Sequence, residues 1–379
     1  MPQRDPSGDG PPTARLRSLL HLRATEREGD EFRYHGDPLV PRSVLSSELS
    51  AAFRDAGYDL RVVDGRDVGE VTVVAEPVTP GADGVPWTNV VLALATVCST
   101  LFVGAFAWYY VPLAAIRQNP LVVLQAWPFT AAVLGVLATH ELGHYLVGRY
   151  HGVDVSLPYL LPFVVPFGTL GAVIRMRGQM PDRETLFDVG VAGPLAGLVA
   201  TVVVTAIGLS IDPMRVPPRV LSTGGEAVVF NSPPLLSLIA DLLGRPTSYP
   251  DPRLMIHPVI IGGWVGMFFT LLNLLPVGQL DGGHILRAML GRRQETVAAI
   301  VPGALFALAG YLYYVRNLGV NDSVGLWVFW GLLSTLVAYN GPAHPRDETP
   351  LGWPRLAVGA LTFALGALCF VAVPVELLG

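Results

Sequence analysis

Most of this 379-residue chain is a succession of apolar runs, each about as long as a bilayer is thick. They fall at residues 89–110, 121–148, 187–209, 257–276, 297–315, 324–340 and 356–373. A helix needs roughly 20 apolar residues to cross the hydrocarbon core. An open sheet cannot cross it, because lipid offers the backbone no hydrogen-bond partner. The expected fold is therefore an all-α polytopic membrane protein with about six to seven transmembrane helices. The lipid bilayer is its first expected partner.

One further apolar stretch, 158–172, does not fit that pattern. Pro158, Pro162 and Pro166 recur every fourth residue. Each would remove a helix hydrogen bond and clash with the preceding turn. We read it as a re-entrant or β-hairpin segment, buried in protein or lining a cavity.

Charge divides the chain. Residues 1–86 hold 10 Arg and 15 Asp/Glu, and the remainder holds 15 of each, so the formal charge of −5 lies wholly in the first 86. Charged residues are 15% of the whole, against about 25% in soluble domains, which excludes an ordinary soluble enzyme. No basic patch with interleaved aromatics occurs, so nucleic acid is not an expected partner. Residues 1–14, rich in Pro, Gly and Asp, read as a disordered tail. Residues 15–86 read as a small cytoplasmic α+β accessory domain. Ser43 caps a helix carrying Leu45, Leu49, Ala52 and Phe53, and strands follow at 58–63 and 70–75. Residues 87–379 form the membrane-embedded domain. Cys98 and Cys369 lie in apolar runs and make no disulfide framework. The polar N-terminus shows no cleavable signal.

Arginines set the orientation. Arg149, Arg175, Arg177 and Arg183 follow the second run, and Arg287, Arg292 and Arg293 the fourth. The positive-inside rule places both segments in the cytoplasm, with the N-terminal domain beside them and the C-terminus outside. The expected location is the cell membrane.

An ionisable group inside a membrane span is costly, and so is a functional candidate. His140-Glu141-Leu142-Gly143-His144 lies near the cytoplasmic end of the second run. At i and i+4 both imidazoles share a helix face and can reach one metal ion. Zinc is the natural ion for two imidazoles plus an oxygen, with a position left for water. Glu141 sits where a general base is needed. The bland alternative is a pair of solvated histidines beside a glutamate, which the surrounding apolar residues argue against.

The second place is Asn273-Leu-Leu-Pro276-Val-Gly-Gln-Leu-Asp281-Gly282-Gly283-His284. Asp281, at the cytoplasmic end of its run, can be the third ligand. Asn273 could donate a hydrogen bond to a developing oxyanion. The alternatives are a helix-capping Asp281 and an Asn273 that only joins helices.

Together these motifs resemble the site-2 protease family of intramembrane zinc metalloproteases. That family pairs H-E-x-x-H on one transmembrane helix with N-x-x-P-x-x-x-x-D-G at another, and Ala192-Gly193-Pro194 is similar to its central helix. The resemblance covers residues 120–295. It implies one zinc ion per chain, held by His140, His144 and Asp281, with Glu141 as catalytic base and a transmembrane protein as substrate. Gly168–Ala172, Pro181-Asp182-Arg183 and Gly278–His284 resemble the PDZ-less branch of plastids, cyanobacteria and archaea. Residues 175–185 are likewise too few to hold a PDZ insertion.

Other histidines rank lower. His284 suits a role in orienting Asp281, His151 is an interfacial histidine at a helix end, and His257 opens its run at the far side of the membrane. His21, His35 and His344 lie in polar segments. The segment Phe167–Met176 is either a structural hairpin or an edge strand able to pair with an unwound substrate. The rival to a protease is a non-catalytic polytopic membrane protein, a transporter or a pseudoprotease binding transmembrane helices. A transporter would usually show repeated halves, and no repeat is visible.

Overall fold

A computed structural model of the chain describes residues 13–28, 31–41, 44–45, 48–49, 52–53, 56–65, 69–77, 86–164, 166–177, 180–222, 227–341, 343, 345 and 347–378. The chain divides into two compact units, Met1–Pro86 and Trp87–Gly379.

In the N-terminal unit, α1 (Thr13–Leu19) leads into β1 (Leu20–Glu28) and β2 (Glu31–Pro38), and β3 (Tyr58–Asp64) and β4 (Val71–Pro77) follow. All pairings are antiparallel, in the order β1-β2-β4-β3. Alternation puts Val71, Val73 and Ala75 on one face of β4. That face packs on Leu16, Tyr34, Leu45, Leu49 and Phe53. Leu45, Leu49 and Phe53 are helical, whereas Ser43, their expected cap, lies outside the described residues, as do residues 1–12 and 78–85. Thr13 and Ala14, assigned from sequence to the tail, form the first turn of α1. The β1–β2 hairpin was not expected from sequence.

The membrane unit is built on α2 (Trp87–Val103), α3 (Trp127–Tyr150), α4 (Arg183–Ser210), α5 (Pro234–Leu243), α6 (Val259–Asn273), α7 (Asp281–Leu290), α8 (Gln294–Tyr314), α9 (Gly325–Asn340) and α10 (Trp353–Ala367). Among the described residues, five continuous helical stretches are long and apolar enough to cross a membrane: Trp87–Trp108, Pro120–Tyr150, Arg183–Ser210, Asp281–Tyr314 and Val320–Tyr339. Six to seven were expected from sequence, and two further apolar helices, Pro234–Leu243 and Val259–Asn273, fall short of that length. The fourth and seventh runs form α6 and α10, of 15 residues each, or about 22 Å of helix. Pro258 and Pro276 bracket α6 and stop it. Val259 to Met267 are buried throughout, so α6 is sheathed by protein rather than by lipid.

α3, α4 and α6 are the central trio. Small residues let them approach closely, as Gly262 does against Ala132 and Gly266 against Thr201. The proline-spaced stretch is a hairpin, as its sequence suggests: β6 (Tyr159–Pro162) pairs antiparallel with β7 (Thr169–Val173). Beside it β5 (Asp154–Val155) pairs with β8 (Met176–Arg177). Asn89 Nδ2 donates to the carbonyls of Leu157 (3.1 Å) and Pro158 (2.9 Å), and Ser99 Oγ to that of Gly168 (2.6 Å). These bonds tie the hairpin to α2. Two further pairings had no sequence signal: β9 (Met214–Arg215) with β11 (Leu254–Met255), and β10 (Ala227–Phe230) with β12 (Val375–Leu378).

Candidate active site

His140, Glu141 and His144 are consecutive-turn residues of α3 and all are buried. α4 makes room for them. A Cβ on Gly193 would overlap the His144 imidazole, and one on Gly197 would stand 2.8 Å from His140 Nδ1. The Val189 carbonyl accepts from His144 Nδ1 at 2.8 Å. A carbonyl only accepts, so the proton sits on Nδ1 and the Nε2 lone pair is free.

Asp281 arrives from elsewhere in the chain. α6 ends at Asn273, residues 274–280 turn tightly, and α7 begins at Asp281. Gly282 and Gly283 permit the turn, since a Cβ on either would run into carbonyls of residues 274–278. The Asp281 carboxylate thereby lies at a helix N-terminus, where the macrodipole favours negative charge. Its Oδ2 is 3.1 Å from His140 Nε2 and 3.2 Å from His144 Nε2, and the two Nε2 atoms are 3.3 Å apart.

Three donors about 2.0–2.1 Å from a tetrahedral ion lie about 3.3–3.4 Å from one another. The observed triangle has nearly those edges, and the bond from Nδ1 to Val189 leaves the His144 Nε2 lone pair available to it. The donor set therefore fits zinc. Among the described residues, this is the group of His, Cys, Asp or Glu side chains whose ligand atoms converge on one point.

Asn273 Nδ2 lies 3.3 Å from His140 Nε2, at the rim of the triangle. His284 is buried beside it and lines the same cavity. His151 lies away from the triangle, with Nε2 3.1 Å from Asp188 Oδ2. His257 sits edge-on to Tyr109.

Two cavities meet at Glu141. One, of about 170 Å³, holds the polar groups His140, Glu141, His144, Asp281 and His284. The other, of about 140 Å³, is largely apolar and is walled by Val136, Leu137, Leu170, Phe269 and Trp330. Ala172 and Val173 of β7 border both. β6 occupies one edge of β7, and among the described residues no strand occupies the other.

Sequence reasoning missed the supports. Arg355 on α10 donates to both oxygens of Asp188 (2.9 and 3.0 Å) and pairs with Glu184, clamping α4 beside the end of α3. The spacing of Gly193 and Gly197, one turn apart like the histidines they face, was the available signal.

A buried His-His-Asp triangle with a glutamate beside it, inside an apolar helix bundle, is a donor set able to hold a metal ion. Residues 128–310 match the model of Peptidase family M50. The probable chloroplastic zinc metalloprotease EGY1 of Arabidopsis thaliana is 33% identical over 264 residues, 66% of this chain and 44% of that protein. EGY2 of the same plant, similarly described, is 35% identical over 181 residues, 48% of this chain and 31% of its own length. The chain thus spans less than half the length of these curated relatives. The solved site-2 protease of Methanocaldococcus jannaschii aligns with 68% of this chain and 93% of its own at 17% identity and a TM-score of 0.32.

Proposed function

We propose that the chain is an intramembrane zinc endopeptidase, cleaving peptide bonds in or near transmembrane segments of other proteins. The observation that carries this reading is the triangle of His140, His144 and Asp281 with Glu141 at the junction of a polar and an apolar cavity. Zinc in that triangle supplies a Lewis acid that brings the acidity of water to near neutral pH. Glu141 takes the proton from the attacking water and returns it to the leaving amine. Asn273, held at the end of α6, aims its amide at the oxyanion that develops on the scissile carbonyl.

A transmembrane substrate must unwind before hydrolysis, because its helix hydrogen bonds shield each amide. The free edge of β7 offers replacement main-chain partners next to Glu141. A side chain of the extended substrate then occupies the apolar cavity, which at about 140 Å³ matches the ~150 Å³ that accommodates a benzene ring in a protein core. The site lies toward the cytoplasmic face of a multi-pass membrane protein, by the arginines that follow α3 and α6.

Glu141→Gln keeps the shape of the site and removes the base. Purified Glu141→Gln should bind one zinc per chain, as the wild type does, and cleave a test transmembrane substrate about 10²–10⁴-fold more slowly. Undiminished cleavage would refute the assignment.

A further inference from the structure

Away from the triangle, the membrane unit buries two arginines against one residue, Glu348. Arg183, which opens α4, and Arg287, on α7, are 7% and 2% exposed. Arg183 donates from Nε to the Ala288 carbonyl (2.7 Å) and from Nη1 to the Glu348 carbonyl (3.3 Å). Arg287 Nη2 donates to the Glu348 carboxylate (2.5 Å), whereas its buried Nε and Nη1 have no partner among the described residues. Neighbouring acids are engaged elsewhere. Asp182 accepts from the Thr185 amide, Asp347 from the amide and hydroxyl of Thr349, and Glu184 pairs with Arg355. Of the two buried cations, Arg287 thus pairs with the Glu348 carboxylate, whose side chain is 48% exposed, and Arg183 reaches only the main-chain carbonyl of the same residue.

Gly291, just past α7, marks where the two guanidinium groups converge. The nearest atoms to the place its Cβ would take are Arg183 Nη1 (3.7 Å), Arg183 Nη2 (3.8 Å) and Arg287 Nη1 (3.8 Å). Guanidinium nitrogens of both arginines thus converge beside the buried Gly291 backbone, and exposed Arg292 and Arg293 follow it. Paired guanidinium groups match the oxygens of a phosphate, each fork donating two parallel bonds. Basic pockets between helices at the water edge of a bilayer suit anionic headgroups for the same reason.

We propose that Arg183 and Arg287, converging beside Gly291, form a binding site for a phosphate-bearing anion. The anion takes Arg287 Nη1 and competes with the Glu348 carboxylate for the Arg287 guanidinium. The site stands at the opposite end of α7 from Asp281, outside the triangle.

The test uses the full chain in detergent micelles, with binding read as the rise in unfolding temperature on titration. The probes are phosphatidic acid, phosphatidylcholine, inorganic phosphate, and chloride at matched ionic strength. A rise with phosphatidic acid alone assigns a lipid headgroup, and a rise with inorganic phosphate as well assigns a soluble phosphate. No rise with either, or an equal rise with phosphatidylcholine or chloride, overturns the site. Arg287→Gln should weaken binding by about tenfold or more, the worth of a charged hydrogen bond. Glu348→Gln alters a half-exposed residue, spares both arginines and removes the competitor, so binding should tighten several-fold. Should Arg287→Gln fail to fold, unchanged or weaker binding by Glu348→Gln alone overturns the proposal.

Discussion

In the N-terminal unit Arg15 meets Glu48, Arg23 meets Asp37 and Arg61 meets Glu76, with side chains between 39% and 65% exposed. In the membrane unit His140, His144 and Asp281 meet with side chains 7%, 5% and 16% exposed. The residue types overlap but the energetics do not. Water pays most of the solvation of the first set whether or not the partners touch, so those contacts say little about what the unit is for. The second set has lost its water, and burial of such groups costs several kcal/mol each unless something compensates. A bound cation does so for the carboxylate and uses both imidazole lone pairs. Burial is thus what turns a common contact into a functional signal.

The sharpest way to break that contrast is to remove one member of the buried set. His144→Ala or Asp281→Ala leaves two ligands where zinc requires three protein donors and a water. Metal analysis of the purified variants should show zinc lost from its one-to-one stoichiometry, and cleavage should fall below detection. Retention of full zinc by both variants would mean the triangle is not the metal site.

A smaller effect probes the packing that holds the triangle. Gly193→Ala changes no ligand, but its Cβ would overlap the His144 ring, so either the ring or α4 must shift. Misorienting a ligand in this way typically weakens metal affinity about 10- to 100-fold. Competition with a zinc chelator would measure it. Affinity equal to that of the wild type would show that α3 and α4 separate without disturbing the histidines.

How much of this contrast could be read in advance depends on which level of structure carried it. The buried chemistry was legible because His140, Glu141, His144 and Asp281 interrupt apolar runs in which any ionisable group is conspicuous. Pro158, Pro162 and Pro166 likewise marked the hairpin by what they forbid. Tertiary support was not legible. The Val189 carbonyl that orients His144 is a backbone group with no sequence signature, and the Arg355–Asp188 pair joins residues far apart in the chain. In the N-terminal unit β3 and β4 showed through their valines. The β1–β2 hairpin did not, because the charges of Arg23, Glu26, Arg27, Glu28, Glu31 and Arg33 obscure its apolar alternation. Five spanning-length helices stood where six to seven were expected because hydropathy measures apolarity, and α6 is apolar through burial in protein.

The apolar cavity gives a third, more selective perturbation. Val136 is 2% exposed and lines that cavity one turn before His140. Val136→Phe fills it. A substrate with leucine or phenylalanine beside the scissile bond should lose about 10- to 200-fold in kcat/KM, the usual worth of excluding a side chain from an apolar pocket. A matched substrate with alanine there should lose much less, while zinc stoichiometry stays at one. Equal losses for the two substrates would place the substrate side chain elsewhere.

The smallest expected effect comes from the exposed set and completes the contrast. Arg61 on β3 and Glu76 on β4 are partners across the antiparallel pair, with side chains 65% and 45% exposed. Their attraction acts across water, and ordering two long side chains offsets much of it, so exposed pairs contribute about 0–1 kcal/mol. Arg61→Ala, Glu76→Ala and the double variant should therefore form a thermodynamic cycle whose coupling term falls in that range and shrinks further as salt is raised. Chemical denaturation of the full chain, read from a probe in the N-terminal unit, supplies the four stabilities. A coupling of 3 kcal/mol or more, the penalty typical of breaking a buried pair, would mean that Arg61 and Glu76 are shielded from water in the protein, and the contrast between the two units would lose its physical basis.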